Sequence, residues 1–470
     1  MLFSSVTFLF IFLPVTLALY YIVPERFRNI VMLAASLIFY AWGEPLYVVL
    51  MLLSILLNYI CGLDIESKRE NPRKARRSLI FAVAANVCLL GFFKYYGFLL
   101  DSLNAVLPGD IPYRELPLPI GISFYMFQAI SYIIDVYRKQ VKPQENLLHL
   151  ALYISMFPQL IAGPIVRYID IEDQLKGRKV SMRKFGQGAE YFIIGLGKKV
   201  ILAGSAGQIF DQISGLQMGS FSVLTAWVGC ISYAFRIYFD FSGYSDMAIG
   251  LGKMFGFELG KNFDYPYIST SITEFWRRWF ISLSTWFKEY VYIPLGGSRR
   301  GQSRQMLNIL IMWVLIGLWY GASWNFLIWG LYYGILLILE RFVWGRVLEK
   351  LPAVVRHIYT MILVLIGWTF FFSPNLRYAQ DYLGAMFGPG ASTFADKQAI
   401  FYVTTHWLLY LAAVLGTSCA GYRIIRRIAG GFNNIRARKA AAAVVYIGIF
   451  LISIAYLVTE SFHPFLYFRY

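Results

Sequence analysis

The sequence predicts an all-α integral membrane protein with roughly eleven to thirteen membrane segments, some of them re-entrant or interfacial. Three observations carry this. Of 470 residues, 58% are hydrophobic and only 15% charged, with a mean hydropathy of +0.56, whereas an ordinary soluble domain is about a quarter charged. Apolar runs of roughly 18 residues or more, long enough to cross hydrocarbon as a helix, recur along the chain. The basic residues fall on alternate loops between them.

The first run, Phe8 to Val23, opens almost at Met1. No basic residue precedes it and no small-residue cleavage site follows, so a retained helix is expected rather than a signal peptide. Further segments lie near 28–42, 45–63, 79–100, 117–135, 147–165, 187–205, 222–250, 306–320, 323–344, 355–373, 402–420 and 440–459. Segment 147–165 contains Pro158, Gly163 and Pro164. Broken backbone at membrane depth is tolerated only inside protein or beside a cavity, so this segment is expected to be re-entrant. Twelve crossings remain. No internal repeat or linker divides the chain, which predicts a single polytopic domain over 1–470.

With the N-terminus outside, the inward loops hold 35 Lys and Arg residues and the outward loops four. Cytoplasmic loops carry the basic excess, so both termini are expected on the extracytoplasmic face of the cell membrane. The same excess explains the net charge of +17. Nucleic-acid binding would need a basic face on a soluble fold, and the composition leaves no room for one. Cys61, Cys88, Cys230 and Cys419 are scattered through apolar segments without paired-ligand spacing. They read as small core residues rather than disulfides, and no metal site is expected.

The chemistry is concentrated in residues 233–334. "YAFRIYFDFSGYSDMAIG", from Tyr233, sets Arg236, Asp240 and Asp246 in an apolar helix, where ionisable groups mark a function or a buried pair. Arg236 and Asp240 are four apart and share a helix face, so a neutralising pair and a functional role both stand. Asp246 points elsewhere. In "ITEFWRRWFISLSTWFKEYVYIPLGGSRRG", from Ile272, the residues Trp276, Trp279, Phe280, Leu283 and Phe287 recur at helical spacing. That predicts a helix lying in the cytoplasmic interface. Alternatively, Arg277, Arg278, Lys288, Arg299 and Arg300 receive an anionic acyl donor. In "IMWVLIGLWYGASWNFLIWGLYYG", from Ile311, Tyr320 stands at the apex of two apolar segments, beside Trp319, Trp324 and Asn325.

These blocks, with "LPIGISFYMFQAISYIIDVYR" from Leu118 and "MFPQLIAGPIVRY" from Met156, resemble the signatures of membrane-bound O-acyltransferases. The likeness runs from "MLFSSVTFLFIF" to "FLYFRY". It is greatest to the alginate O-acetylation membrane proteins, with D-alanyl-lipoteichoic acid transfer proteins more distant. The resemblance implies an acyl group, acetyl foremost, taken from a cytoplasmic thioester such as acetyl-CoA. It would pass to a hydroxyl on an extracytoplasmic polysaccharide or partner acyltransferase, with no bound cofactor.

The resemblance also implies two histidines, and here those positions are Phe280 and Tyr320. The position of Arg236 more commonly holds glutamine. Imidazole is matched to proton transfer near neutral pH. A tyrosine ordinarily titrates near 10, and a phenylalanine transfers no proton. Two readings follow: an acyltransferase centred on Tyr320 and Phe280 and shaped by Arg236, Asp240, Asp246, Trp319 and Asn325, or a catalytically silent scaffold or acyl conduit for a partner acyltransferase. His463 is the one histidine considered as a substitute base.

Overall fold

The structure, a computed structural model, describes residues 1–109, 111–430 and 434–459. Helices account for all of its regular structure among the described residues. The chain forms two compact units.

The first unit comprises residues 1–192 and 247–260. Its helices are α1 (Phe8–Ile22), α2 (Arg28–Gly43), α3 (Tyr47–Ser67), α4 (Pro72–Asn104), α5 (Ile122–Tyr137), α6 (Leu147–Ser155), α7 (Phe157–Leu160) and α8 (Tyr168–Lys176). It also takes the start of α9 (Met182–Ser214) and the end of α10 (Val223–Met254). Asn71 starts α4 by accepting the Lys74 N–H, with Pro72 at the first helical position, where its missing N–H costs nothing. α5 is buried around nearly its whole circumference, its polar Ser123, Gln128, Ser131 and Asp135 included.

The break expected between 147 and 165 is present. α6 stops at Ser155 and the chain turns at Met156. The freed groups find partners inside the protein: the Phe157 N–H donates to Ser36 Oγ at 3.1 Å, and Gln159 Nε2 donates to the Tyr153 carbonyl at 2.7 Å.

The second unit comprises residues 193–246 and the described residues from 261 onward. It contains the rest of α9 and α10, followed by α11 (Ile272–Arg278), α12 (Ile281–Phe287), α13 (Gln302–Tyr320), α14 (Trp324–Lys350) and α15 (Ala353–Phe372). After these come α16 (Leu376–Phe387), α17 (Lys397–Thr405), α18 (Trp407–Gly416), α19 (Cys419–Gly430) and α20 (Ile435–Thr459). α13 and α14 form a tight hairpin because Gly317 and Gly330 meet. A Cβ on Gly317 would stand 2.2 Å from the Phe326 carbonyl oxygen, and one on Gly330 2.4 Å from that of Trp313. Small residues let membrane helices approach this closely.

Every segment expected from the sequence contains helix, and the protein is a multi-pass membrane protein. Among the described residues, six helices (α3, α4, α9, α14, α15 and α20) are each long and apolar enough to cross a bilayer. The pair α17 and α18, bent by 64° at His406, makes a seventh if it is one span. The twelve crossings therefore exceed what length and composition alone establish; α5, for example, is only 16 residues long. Cys61 and Cys230 are buried as expected, but Cys88 is exposed and packs no core. The C-terminal block "FLYFRY" and His463 lie outside the described residues.

Candidate functional site

The site residues named in the three informative stretches, from Arg236 to Asn325, all fall within the second unit, although the first stretch itself continues past Asp246 into the first. On α10, Arg236 does not pair with Asp240; each is held by a different residue of α9. Arg236 donates to Asp211 Oδ1 at 2.7 Å, Lys199 pairs closely with Asp240, and Lys198 donates to Asp246 Oδ2 at 2.6 Å. Sharing a helix face brought Arg236 and Asp240 to the same neighbouring helix rather than to each other. Two features bring α9 close enough. A Cβ on Gly243 would lie 2.7 Å from the Gly195 carbonyl oxygen, and α9 makes a wide turn over Lys198–Ala203, the kind of bulge often found at functional sites.

The interfacial stretch is not one helix. Two seven-residue helices, α11 and α12, are separated at Trp279 and Phe280. Trp276, Trp279, Phe280, Leu283 and Phe287 are buried in the protein rather than laid on a membrane surface. The break is a backbone inversion: Phe280 has φ +44° and ψ 60°. A bulky residue in this left-handed region is strained, and such strain persists only where the surroundings enforce it, often at working sites.

Asn262 does the enforcing. Its carbonyl accepts from the Ile281 N–H at 2.8 Å, and its Oδ1 accepts from the Ser282 N–H and hydroxyl at 3.1 and 2.9 Å. Its Nδ2 is anchored on Ser245 Oγ at 2.9 Å.

α11 itself is fixed at its first turn. Ser271 Oγ accepts from the Glu274 N–H at 3.0 Å, and Glu340 on α14 accepts from the Ile272 and Thr273 N–H groups at 2.7 and 2.9 Å. Burial alone would raise the Glu274 pKa. The Thr270 N–H and hydroxyl, together with Arg278, outweigh it and hold the carboxyl below the usual range.

Tyr320 ends α13 and is 2% exposed. Its ring packs edge-on against Trp319, Trp329 and Phe371 at 5.2, 5.1 and 5.3 Å. Phe280 packs edge-on against the same Trp319 at 5.8 Å. The two positions singled out by the sequence, 40 residues apart along the chain, thus meet across one indole. Asn325 is occupied elsewhere, donating to the Ser373 carbonyl at 2.6 Å. That fixes the hairpin tip to the end of α15.

Beside this cluster is a cavity of about 860 Å³. Trp276 and Trp313 form part of its apolar wall, and four cations, Arg277, Lys288, Arg341 and Arg356, outnumber the two carboxylates of its lining, Glu340 and Glu349. An aromatic chain leads inward from it: Trp276 meets Trp329 at 5.5 Å, and Trp329 meets Tyr320. Of the five basic residues considered for a donor, Arg277 and Lys288 line the cavity. Arg278 is paired with Glu274 at 2.9 Å, and Arg299 and Arg300 lie exposed in the turn before α13, outside the lining. Arg341 and Arg356 were missed. The only signal for them was their place at the same-side ends of two neighbouring apolar segments.

With this geometry in hand, the comparisons decide the family. The family model described as MBOAT, membrane-bound O-acyltransferase family, matches residues 138–376. The chain belongs to that family. It is 39% identical to a probable alginate O-acetylase AlgI of Azotobacter vinelandii over the full length of both chains. A peptidoglycan O-acetyltransferase of Helicobacter pylori is 37% identical over 83% of this chain and 80% of its own. A teichoic acid D-alanyltransferase of Streptococcus thermophilus is 29% identical over 47% of this chain and 56% of its own. The chain is therefore a bacterial-type O-acyltransferase of the membrane.

Proposed function

We propose that the protein takes an acetyl group from a cytoplasmic thioester, acetyl-CoA being the simplest, and delivers it to hydroxyls of an extracytoplasmic polysaccharide or of a partner acyltransferase. The cavity is the observation that carries this reading. Four cations stand around a space large enough for an anionic thioester, and an aromatic wall runs from it to Tyr320. In the transfer, the acceptor oxygen bonds to the thioester carbon, the carbon–sulfur bond breaks, and the hydroxyl proton passes to the departing thiolate. Tyr320 would serve through its hydroxyl, donating a hydrogen bond to the developing oxyanion. The alginate and peptidoglycan relatives support a glycan acceptor. The scaffold or conduit reading has Phe280 in its favour, since a hydrocarbon ring stands at a strained, enforced position.

Arg277→Gln with Lys288→Gln is expected to raise the donor KM about tenfold with little change in kcat. Charge-assisted hydrogen bonds are worth roughly 1.5–3 kcal/mol, discounted here because both side chains are exposed. Arg299→Gln with Arg300→Gln should leave KM unchanged. If the second pair alone raised KM, the donor would be seated elsewhere.

Orientation has its own test. In a background without native cysteines, Ala391→Cys should react with an impermeant thiol reagent in intact cells, and Arg73→Cys should not. The reverse labelling would invert the topology. The C-terminal residues, expected on the same side as Met1, lie outside the described residues.

A further inference from the structure

The chain from residue 397 to 459 contains no Asp or Glu. Within it, α19 and the first turns of α20 carry Arg423, Arg427, Arg436, Arg438 and Lys439, all exposed. At about 100° per residue, positions 423, 426 and 427 of α19 fall within an arc of about 100°. The isoleucine positions 424, 425 and 428 fall on the opposite side. A helix of this pattern lies along the membrane surface with its basic side toward the headgroups.

Chain continuity agrees. α19 connects α17 and α18, apolar enough together to span, with α20, which spans alone, so it lies at a membrane–water boundary whichever side that is. α20 itself is barely covered by protein: only 6% of its most apolar stretch is buried, and Val444 and Leu451 are 70% and 61% exposed. The exposed apolar stem therefore continues directly into a cationic end. That sequence of surfaces matches a phospholipid, tail against the stem and phosphate against the arginines.

We propose that α19 and the start of α20 form a binding site for anionic phospholipid headgroups, independent of the acyl-transfer centre. Clusters of four to eight basic residues beside a spanning helix recognise anionic lipid through the surface field and through phosphate hydrogen bonds. A soluble anion would share only the second of these, and an acidic polypeptide would have no use for the apolar stem.

The test is a thermal-unfolding titration of the detergent-solubilised full chain with dioleoylphosphatidylglycerol, dioleoylphosphatidylcholine, inorganic phosphate and polyglutamate. Phosphatidylglycerol alone should raise the Tm by several degrees. That rise should vanish near 1 M NaCl, where the Debye length shrinks to about 3 Å. Replacing all five cations by Gln should remove at least half of the shift, while replacing the four arginines by Lys should keep most of it. If the Gln variant does not accumulate, the salt and lipid series on the unaltered chain decides alone. An equal shift with phosphatidylcholine, phosphate or polyglutamate, or a phosphatidylglycerol shift that survives high salt or the Gln replacements, would overturn the proposal.

Discussion

Tyr320→Phe should lower O-acetylation by about two to three orders of magnitude while leaving the amount of protein in the membrane unchanged. Removing one donor to a developing oxyanion costs about that much in kcat. The substitution keeps the ring, and with it the edge-on contacts to Trp319, Trp329 and Phe371, so packing should not confuse the result. The measurement is polysaccharide O-acetyl content in cells carrying each variant at matched membrane levels. Full activity in the Phe variant would take Tyr320 out of the chemistry and favour the scaffold reading. The second arm is Tyr320→His with Phe280→His, which places two imidazoles on either side of Trp319. In a silent scaffold that double variant would gain activity over the parent. In a working tyrosine-centred enzyme, Tyr320→Phe alone would already be inactive.

The reach of the sequence can be judged at three places. The break at Met156 was legible because proline and glycine act on the backbone locally, wherever the segment sits. The break at Phe280 was not. Trp276, Trp279, Leu283 and Phe287 keep an apolar helical spacing straight across it, and phenylalanine gives no warning of a positive φ. Its cause, Asn262, lies 18 residues upstream and acts through hydrogen bonds that no local pattern encodes. The cavity was half legible. Arg277 and Lys288 sit in the stretch already suspected, but Arg341 and Arg356 join them only because α14 and α15 fold back beside α11 and α12.

Asp240→Ala should be among the most damaging single substitutions in the membrane body, costing about 3–5 kcal/mol. The side chains of Lys199 and Asp240 are only 6% and 9% exposed, so the change removes a carboxylate against which a buried ammonium is set. The spacing on α10 would have named Arg236 as the partner, and the two assignments predict different rescues. Adding Lys199→Met to Asp240→Ala should recover much of the loss, because a buried pair replaced by apolar groups is often neutral. Adding Arg236→Gln should recover nothing, since Arg236 is set against Asp211. The three pairs should also rank by burial, because solvent weakens an ion pair in proportion to its exposure. The Lys199–Asp240 pair, at 6% and 9% exposure, is the most buried on both sides, so Asp240→Ala should cost more than either Asp246→Ala or Asp211→Ala. Thermal stability of the detergent-solubilised variants measures all of these. Rescue by Arg236→Gln rather than Lys199→Met would restore the pairing within α10 and remove α9 from the account.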